Sequence, residues 1–263
     1  GSIERVLRLQ GLDRLRRRHF LDHAFGVLAD DSVHFVLDAA DLVKNLLFQV
    51  LDEQGKHVEA EHLLEHVWAP LDQNPWREEI TTGRVKRKRI DLLLAYWLSI
   101  TTTNEVSVDH LFADFKKWLI GSGQSASDVM TSIRHYADTM ELLQQLPGTS
   151  PTGQLLERMD WLQHTTPWPI VLYLYANGDI PQTQRDRACH ALESFLVRRA
   201  ICRLTTKDYN KLFLQVLTQI KAAPPEAVGE VLEQALVEQS AESRYWPSDS
   251  QFSAALRSPA LYS

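Results

Sequence analysis

The chain has 263 residues, of which 44% are hydrophobic and 24% charged, and its formal net charge is −6 at pH 7. This length and composition are ordinary for a globular protein with one large core or two smaller ones. The negative balance excludes a protein that coats nucleic acid over its whole surface, so any such contact must come from a local basic patch.

No apolar run approaches the roughly 20 residues that a helix needs to cross a bilayer, and no signal peptide is recognisable. Cys189 and Cys202, the two cysteines, are both expected on one helix, about 20 Å apart along its axis, too far for a disulfide within it. We therefore expect reduced core thiols, a cytoplasmic protein and no membrane contact. Gly1 and Ser2 resemble a cloning scar, which suggests an excised fragment.

Residues 3–20 form a basic amphipathic segment with apolar residues at helical spacing. Arg14, Arg16, Arg17 and Arg18 cluster near its end. A solvated helix face, or cations at a helix C-terminus, accounts for such a stripe, and DNA contact is the alternative.

The next two predicted helices cover Ala39–Val50, with Leu42, Leu46 and Val50 facing inward, and residues 58–68. The second contains His62-Leu63-Leu64-Glu65-His66, formally the pattern of an inverted zincin. Two histidines four residues apart share a helix face, as a zinc site requires, but no third ligand is recognisable. We therefore expect a surface helix and assign no metal.

The densest positive patch directly precedes an apolar helix predicted at Ile90–Ile100. Its five cations in seven residues are Arg84, Lys86, Arg87, Lys88 and Arg89. A basic run at a helix start opposes the helix dipole, so helix stability does not explain it. Two interpretations stay open: a solvated loop with carboxylates such as Glu78 and Glu79 nearby, or contact with nucleic-acid phosphates.

Helices are also predicted at Val106–Leu119 and Ser127–Leu146. Residues 147–153, Pro-Gly-Thr-Ser-Pro-Thr-Gly, indicate a linker and a subdomain boundary. The apolar run Ile170–Tyr175 could be a buried strand by its pattern alone. Because no partner strand is apparent, we predict a buried helix.

A helix near 188–204 organises the predicted fold because it has two apolar faces. Ala188, Leu192 and Phe195 lie on one face, and Val197, Ala200, Ile201 and Leu204 on the other. A helix that is apolar on both sides is covered on both sides. The prediction is an all-α, irregular multi-helix bundle of about ten to twelve helices around this central buried helix.

Arg199 lies within the first apolar face, where its guanidinium needs acceptors. A structural buried ion pair is one interpretation, with Asp91 as a candidate partner, and an anion or phosphate contact is the other. Beyond this helix, Thr205 with Asp208 predicts a cap for the next helix. Ser248 similarly predicts the start of a final helix at Gln251–Arg257.

Five segments, in order, resemble the central helical region of GmrSD-type modification-dependent restriction endonucleases. They are Asp41–Phe48; Trp76-Arg77 with Gly83-Arg84 and Arg89-Ile90-Asp91; Pro167-Trp168-Pro169; Glu193–Cys202 with Thr205–Asn210; and Trp246–Phe252. One departure is Leu28-Ala29-Asp30-Asp31-Ser32, where the family usually carries Leu-Asn-x-x-Gly.

The resemblance implies a ParB-like nucleotide-handling module on the N-terminal side and an HNH nuclease on the C-terminal side, as partners in the same chain. The motifs of both modules are absent from this sequence, so we expect no catalysis and no cofactor. The expected organisation is residues 1–37 as a junction, 38–147 as a first helical subdomain and 154–263 as a second.

The expected function is that of a non-catalytic middle domain. It would link and orient the catalytic modules, and its basic run could contact the DNA backbone. The alternative is a purely structural or protein-interaction module without DNA contact. A third, hydrolase interpretation rests only on His62, Glu65 and His66. The oligomeric state stays open.

Overall fold

The computed structural model describes residues 38–82 and 85–257, and its secondary structure is almost entirely helical. The α-helices in this part of the chain are α1 Ala39–Glu53, α2 His57–Leu63, α3 Arg89–Thr102, α4 Leu111–Ser122, α5 Ala126–Gln144, α6 Pro151–Trp161, α7 Trp168–Ala176, α8 Gln182–Ile201, α9 Tyr209–Ala222, α10 Val228–Val237 and α11 Asp249–Leu256. A π-helical turn follows α2 at Leu64–Trp68, and 3-10 turns lie at Ala69–Asp72, Val108–His110 and Pro225–Ala227. Strands β1 Glu79–Thr82 and β2 Val85–Lys88 pair in one small sheet.

The all-α prediction is confirmed. No helix within the described ranges is long and apolar enough to cross a membrane. The basic amphipathic segment of residues 3–20, and the junction of residues 1–37 to which it belongs, lie outside the described residues.

The chain divides into two compact units that are discontinuous in sequence. Of the described residues, unit 1 takes in 38–80, 87–95 and 107–134, and unit 2 takes in 81–82, 85–86, 96–106 and 135–257. The division therefore falls within the β-hairpin, α3 and α5. The subdomains expected at 38–147 and 154–263 stay a prediction.

Of the expected linker at residues 147–153, only 147–150 form a turn between α5 and α6, and residues 151–153 are the first turn of α6. The Ser150 hydroxyl accepts a hydrogen bond from the amide of Gly153 and so caps the helix, with Pro151 in its first turn. A Cβ at Gly153 would lie 2.1 Å from the carbonyl oxygen of Pro147. Proline and glycine thus indicate a tight cap here, because one supplies a fixed φ and the other permits close approach.

In unit 1, α1 buries a different face from the one expected. The buried side chains are Ala40, Val43, Lys44, Leu47, Phe48 and Leu51. The expectation that Leu42, Leu46 and Val50 face inward was wrong. The buried face includes a lysine, and a charge on an apolar face needs a partner that the local sequence does not show.

In unit 2, α8 packs mainly against α6 and α10. It buries Ala188, Cys189, Ala191, Leu192, Phe195, Leu196 and Arg199. The second predicted face, Val197, Ala200, Ile201 and Leu204, is only half-buried, and the helix ends before Leu204. The central helix is therefore real, but one of its two apolar faces is covered less completely than expected.

Caps were predicted at the N-termini of α9 and α11, and only the one at α11 is formed. The final helix expected at Gln251–Arg257 is present as α11, which begins at Asp249, and Ser248 and Gln251 form a reciprocal capping box at its start. Thr205 does not cap α9: the helix begins at Tyr209 after Asp208, and the Asp208 carboxylate accepts hydrogen bonds from Ser243 and Arg244. The run Ile170–Tyr175 lies within α7, which confirms a helix there.

Candidate nucleic-acid interface

The basic run forms strand β2 and the first residue of α3 rather than a loop. The Arg89 amide donates to the carbonyl of Glu78, and the Ile90 amide donates to the carbonyl of Trp76, both at 3.0 Å. These bonds tie the start of α3 to the segment that leads into β1. Arg84 lies outside the described residues.

The cations that the structure describes do not face solvent equally. Lys86 is exposed, and no ion pair joins it to another described residue. Arg87 forms a 2.7 Å ion pair with Asp109, whose side chain is 62% exposed. An ion pair this open to water is weak and salt-sensitive, so Arg87 can exchange its carboxylate for another anion.

Lys88 is 36% exposed, but its ammonium group hydrogen-bonds the carboxylate of Asp38, which is only 15% exposed and therefore holds the lysine more firmly. Asp38 also caps α1 by accepting from the Asp41 amide at 2.9 Å. Arg77 donates two further hydrogen bonds to Asp38, at 3.1 and 3.3 Å. The carboxylates expected near the basic run were Glu78 and Glu79, but the described ion pairs of the run use Asp38 and Asp109.

Arg77 joins these residues to a larger set. Its guanidinium also pairs with Asp41 at 2.7 Å and with Asp72. Asp72 in turn pairs with the buried Lys44 and accepts from the indole of Trp68 at 3.3 Å. We name this set the ionic cluster; its members are Asp38, Asp41, Lys44, Asp72, Arg77, Lys88 and Asp91. Four carboxylates face three cations, so the cluster as a whole is not an anion-binding site.

The electrostatics of the ionic cluster differ from one carboxylate to the next. Burial opposes ionisation of Asp38, but the hydrogen bond from Lys88 and the charge of Arg77 hold its pKa below the ordinary value. Burial raises the pKa of Asp41 despite the charge of Arg77. Burial, together with the neighbouring charge of Asp38, raises the pKa of Asp91 to about 6.

Arg199 is fully buried, but its predicted ion pair with Asp91 is not formed. Its guanidinium donates to three main-chain carbonyls instead: Tyr245 at 2.8 Å, Thr205 at 2.6 Å and Ser243 at 2.8 Å. Asp91 accepts a hydrogen bond from the Ala40 amide. Carbonyl dipoles satisfy a guanidinium fork as carboxylates do, and side-chain types in the sequence do not reveal them.

Aromatic faces complete the surroundings of Arg199. Its guanidinium carbon lies 5.4 Å from the ring centroid of Phe195, 5.7 Å from Tyr209 and 5.8 Å from Tyr245. Burial raises the pKa of Tyr209, although the charge of Arg199 acts the other way. Arg199 thus fastens the segment 243–245 to α8 and presents no face to an external anion.

The histidine pattern on α2 and the following π-helical turn has no third ligand. His62 and His66 are exposed and stacked, with ring centroids 4.3 Å apart, and Nδ1 of His66 lies 3.0 Å from the carbonyl of His62. No group of three or more His, Cys, Asp or Glu side chains within residues 38–82 and 85–257 could hold a metal ion.

An open groove of about 510 Å³ runs along one face of α8 in unit 2. Asp186, His190 and Ser194 line it at successive helical turns, which are residue types found in hydrolytic sites. However, Asp186 accepts from Gln182, and Ser194 accepts from Arg198. No hydrogen bond links the three to one another, so the groove lacks the proton relay of such a site.

Cys189 and Cys202 are free thiols, but only Cys189 is a core residue on α8; Cys202 is half-buried and follows the last residue of the helix. Burial raises the pKa of Cys189 to about 12, and its sulfur lies 3.2 Å from the Thr152 hydroxyl. A buried, protonated thiol is a packing group and not a nucleophile.

The sequence analysis did not predict that Arg77 pairs with three aspartates, or that Asp38 and Asp72 pair with lysines. One signal was available: Lys44 shares a helix face with Ala40, Val43, Leu47 and Leu51, which requires a buried acceptor such as a carboxylate. Nothing in the sequence identified Asp72, twenty-eight residues away, as that carboxylate.

A scan against family models and searches of curated proteins and solved structures gave no match to the chain.

Proposed function

We propose that this chain is the non-catalytic helical middle domain of a GmrSD-like phage-defence restriction endonuclease. In that role it links and orients the ParB-like and HNH modules. The proposal starts from the five ordered segments that resemble this family.

One structural observation supports a scaffold role for those segments. Several of their charged residues, among them Asp41, Lys44, Arg77 and Arg199, are occupied with main-chain and side-chain partners inside the protein. Asp41 and Lys44 meet Arg77 and Asp72 within unit 1, and Arg199 holds the carbonyls of residues 243 and 245 within unit 2. Side chains used in this way fix helix geometry, which is what a spacer between catalytic modules needs.

A limited DNA-backbone contact is the second part of the proposal. Lys86 is exposed, and within the described ranges Arg87 pairs with Asp109, a solvent-exposed aspartate. Phosphate neutralisation at such residues gives binding without base readout, and its affinity falls steeply with salt. Lys88 is excluded from this role because it holds Asp38.

Fluorescence-anisotropy titration of a random DNA duplex, repeated over a salt series, tests the DNA contact. The double variant Lys86→Glu, Arg87→Glu should abolish binding, whereas Lys207→Glu, which reverses an exposed charge elsewhere, should have little effect. No binding at low salt would refute the DNA contact and favour a purely structural or protein-interaction module.

A separate assay tests the absence of catalysis. The purified chain is incubated with modified and unmodified DNA, nucleoside triphosphates and divalent cations. We expect neither DNA cleavage nor nucleotide hydrolysis. Either activity, lost in a variant of the chain itself, would contradict the scaffold role.

A further inference from the structure

Helix α11 is attached to unit 2 far more weakly than the other helices of that unit. None of its residues is buried, and only Phe252 and Ala255 are half-buried. For comparison, α9 buries six residues: Tyr209, Leu212, Phe213, Val216, Leu217 and Ile220. Burial of apolar surface is the main source of helix docking energy, so α11 has little of it.

Arg198 of α8 attaches α11 through an ion pair with Asp249 at 2.7 Å. The same guanidinium also donates to the carbonyl of Pro247, which lies before α11, at 3.2 Å. The guanidinium carbon lies 5.2 Å from the ring centroid of Phe252. The Asp249 side chain is 89% exposed, so water competes directly for that ion pair.

The segment just before α11 is attached differently. The neighbouring residue on α8, Arg199, is fully buried and holds the carbonyls of Ser243 and Tyr245, and Pro247 is buried. Two adjacent arginines thus hold adjacent stretches of chain, one in the interior and one at the surface. The change from firm to weak attachment falls at Ser248.

We propose that α11 is a detachable helix that undocks from α8 as a unit, with the hinge at Ser248 and Arg198 as the clamp. The segment 243–247 stays in place when α11 leaves. The Ser248–Gln251 capping box involves only residues at the start of α11, so the helix remains capped after it undocks. Undocking exposes the guanidinium of Arg198 and the half-buried ring of Phe252.

Hydrogen–deuterium exchange of the whole chain, followed by mass spectrometry, tests this proposal. In the wild type, amides of α11 should exchange at least ten-fold faster than those of α9 and faster than the amides of Arg244 and Tyr245, which donate to the carbonyl of Ala241. Equal protection of α11 and α9 would overturn the proposal, and this comparison requires no variant to fold.

Variants then test the clamp. Arg198→Lys keeps the charge but loses the planar fork, and it should speed exchange in α11 several-fold without changing α9. Arg187→Lys is the matched control, because Arg187 lies on the same helix and pairs with Glu233 outside the α11 contact. Unchanged α11 exchange in Arg198→Lys would remove Arg198 from the mechanism and contradict the proposal.

Discussion

The amide of Ala40 donates a 3.0 Å hydrogen bond to Oδ1 of Asp91, a residue 51 positions further along the chain. The first amides of a helix have no partner within it, and Asp91 supplies one from α3. Asp38 supplies another to the amide of Asp41. The start of α1 is therefore fixed by two carboxylates, one local and one distant.

This arrangement predicts a pH-dependent stability. Because burial raises the folded-state pKa of Asp91 to about 6, above the ordinary 3.8, the folded state binds a proton more tightly than the unfolded chain. The stabilisation from Asp91 is complete below about pH 4 and is lost as pH rises through 6. Asp91→Asn keeps the acceptor and removes the titration. We expect it to stabilise the protein relative to wild type by about 1–3 kcal/mol more at pH 7.5 than at pH 4.

Urea unfolding of wild type and Asp91→Asn at pH 4, 5, 6 and 7.5 measures this difference. Asp179→Asn, the same change at an exposed position, is the control. A difference between Asp91→Asn and wild type that does not change with pH would show that Asp91 is ionised throughout this range.

Arg77 should be the most sensitive residue of the ionic cluster. Arg77→Ala leaves Asp38, Asp41 and Asp72 without their shared cation, and we expect a loss of about 3 kcal/mol in the free energy of unfolding. Arg187→Ala removes an exposed arginine and should leave the urea midpoint nearly unchanged. Similar losses in the two variants would argue against a special role for the cluster.

Replacement of Arg199 by lysine separates charge from geometry. A lysine keeps the positive charge but cannot reach the carbonyls of Thr205, Ser243 and Tyr245 together. We expect Arg199→Lys to lower the free energy of unfolding by about 3 kcal/mol and to increase exposure of Trp246, measured by acrylamide quenching of fluorescence. Arg187→Lys, at an exposed position on the same helix, is the control; equal stability of the two variants would contradict the geometric argument.

Gly229 marks the closest approach of α10 to α8. A Cβ there would lie 2.4 Å from the carbonyl oxygen of Gln184, and the Gly229 amide donates to the Gln184 side chain at 2.9 Å. Gly229→Ala should therefore destabilise the protein by about 1–3 kcal/mol through overpacking. Gly178→Ala, where the added methyl group meets open space, should be neutral or slightly stabilising in thermal unfolding. Equal thermal midpoints of the Gly229→Ala and Gly178→Ala variants would show that α10 and α8 can move apart without loss of stability.

Local signals in the sequence were sufficient for most of the helices. The apolar run Ile170–Tyr175, the helix following the basic run and the Ser248 cap all depend on residues within a few positions of one another. The predictions were wrong where a residue interacts with a partner that is distant in the sequence. The Asp208 carboxylate accepts hydrogen bonds from Ser243 and Arg244 and does not form a cap with Thr205. Lys44 lies on the buried face of α1 because Asp72 supplies its counter-charge.

The sequence by itself determined the all-α class, the helix order and the position of the densest basic run, because periodicity and end signals act over a single helical turn. Only the tertiary structure decided which charges are available. It commits Lys88 to Asp38, gives Arg199 three carbonyls in place of Asp91, and leaves Lys86 exposed. The physical reason is that a buried charge is satisfied by whichever dipole or counter-charge the packing brings near, and packing is a long-range property of the chain.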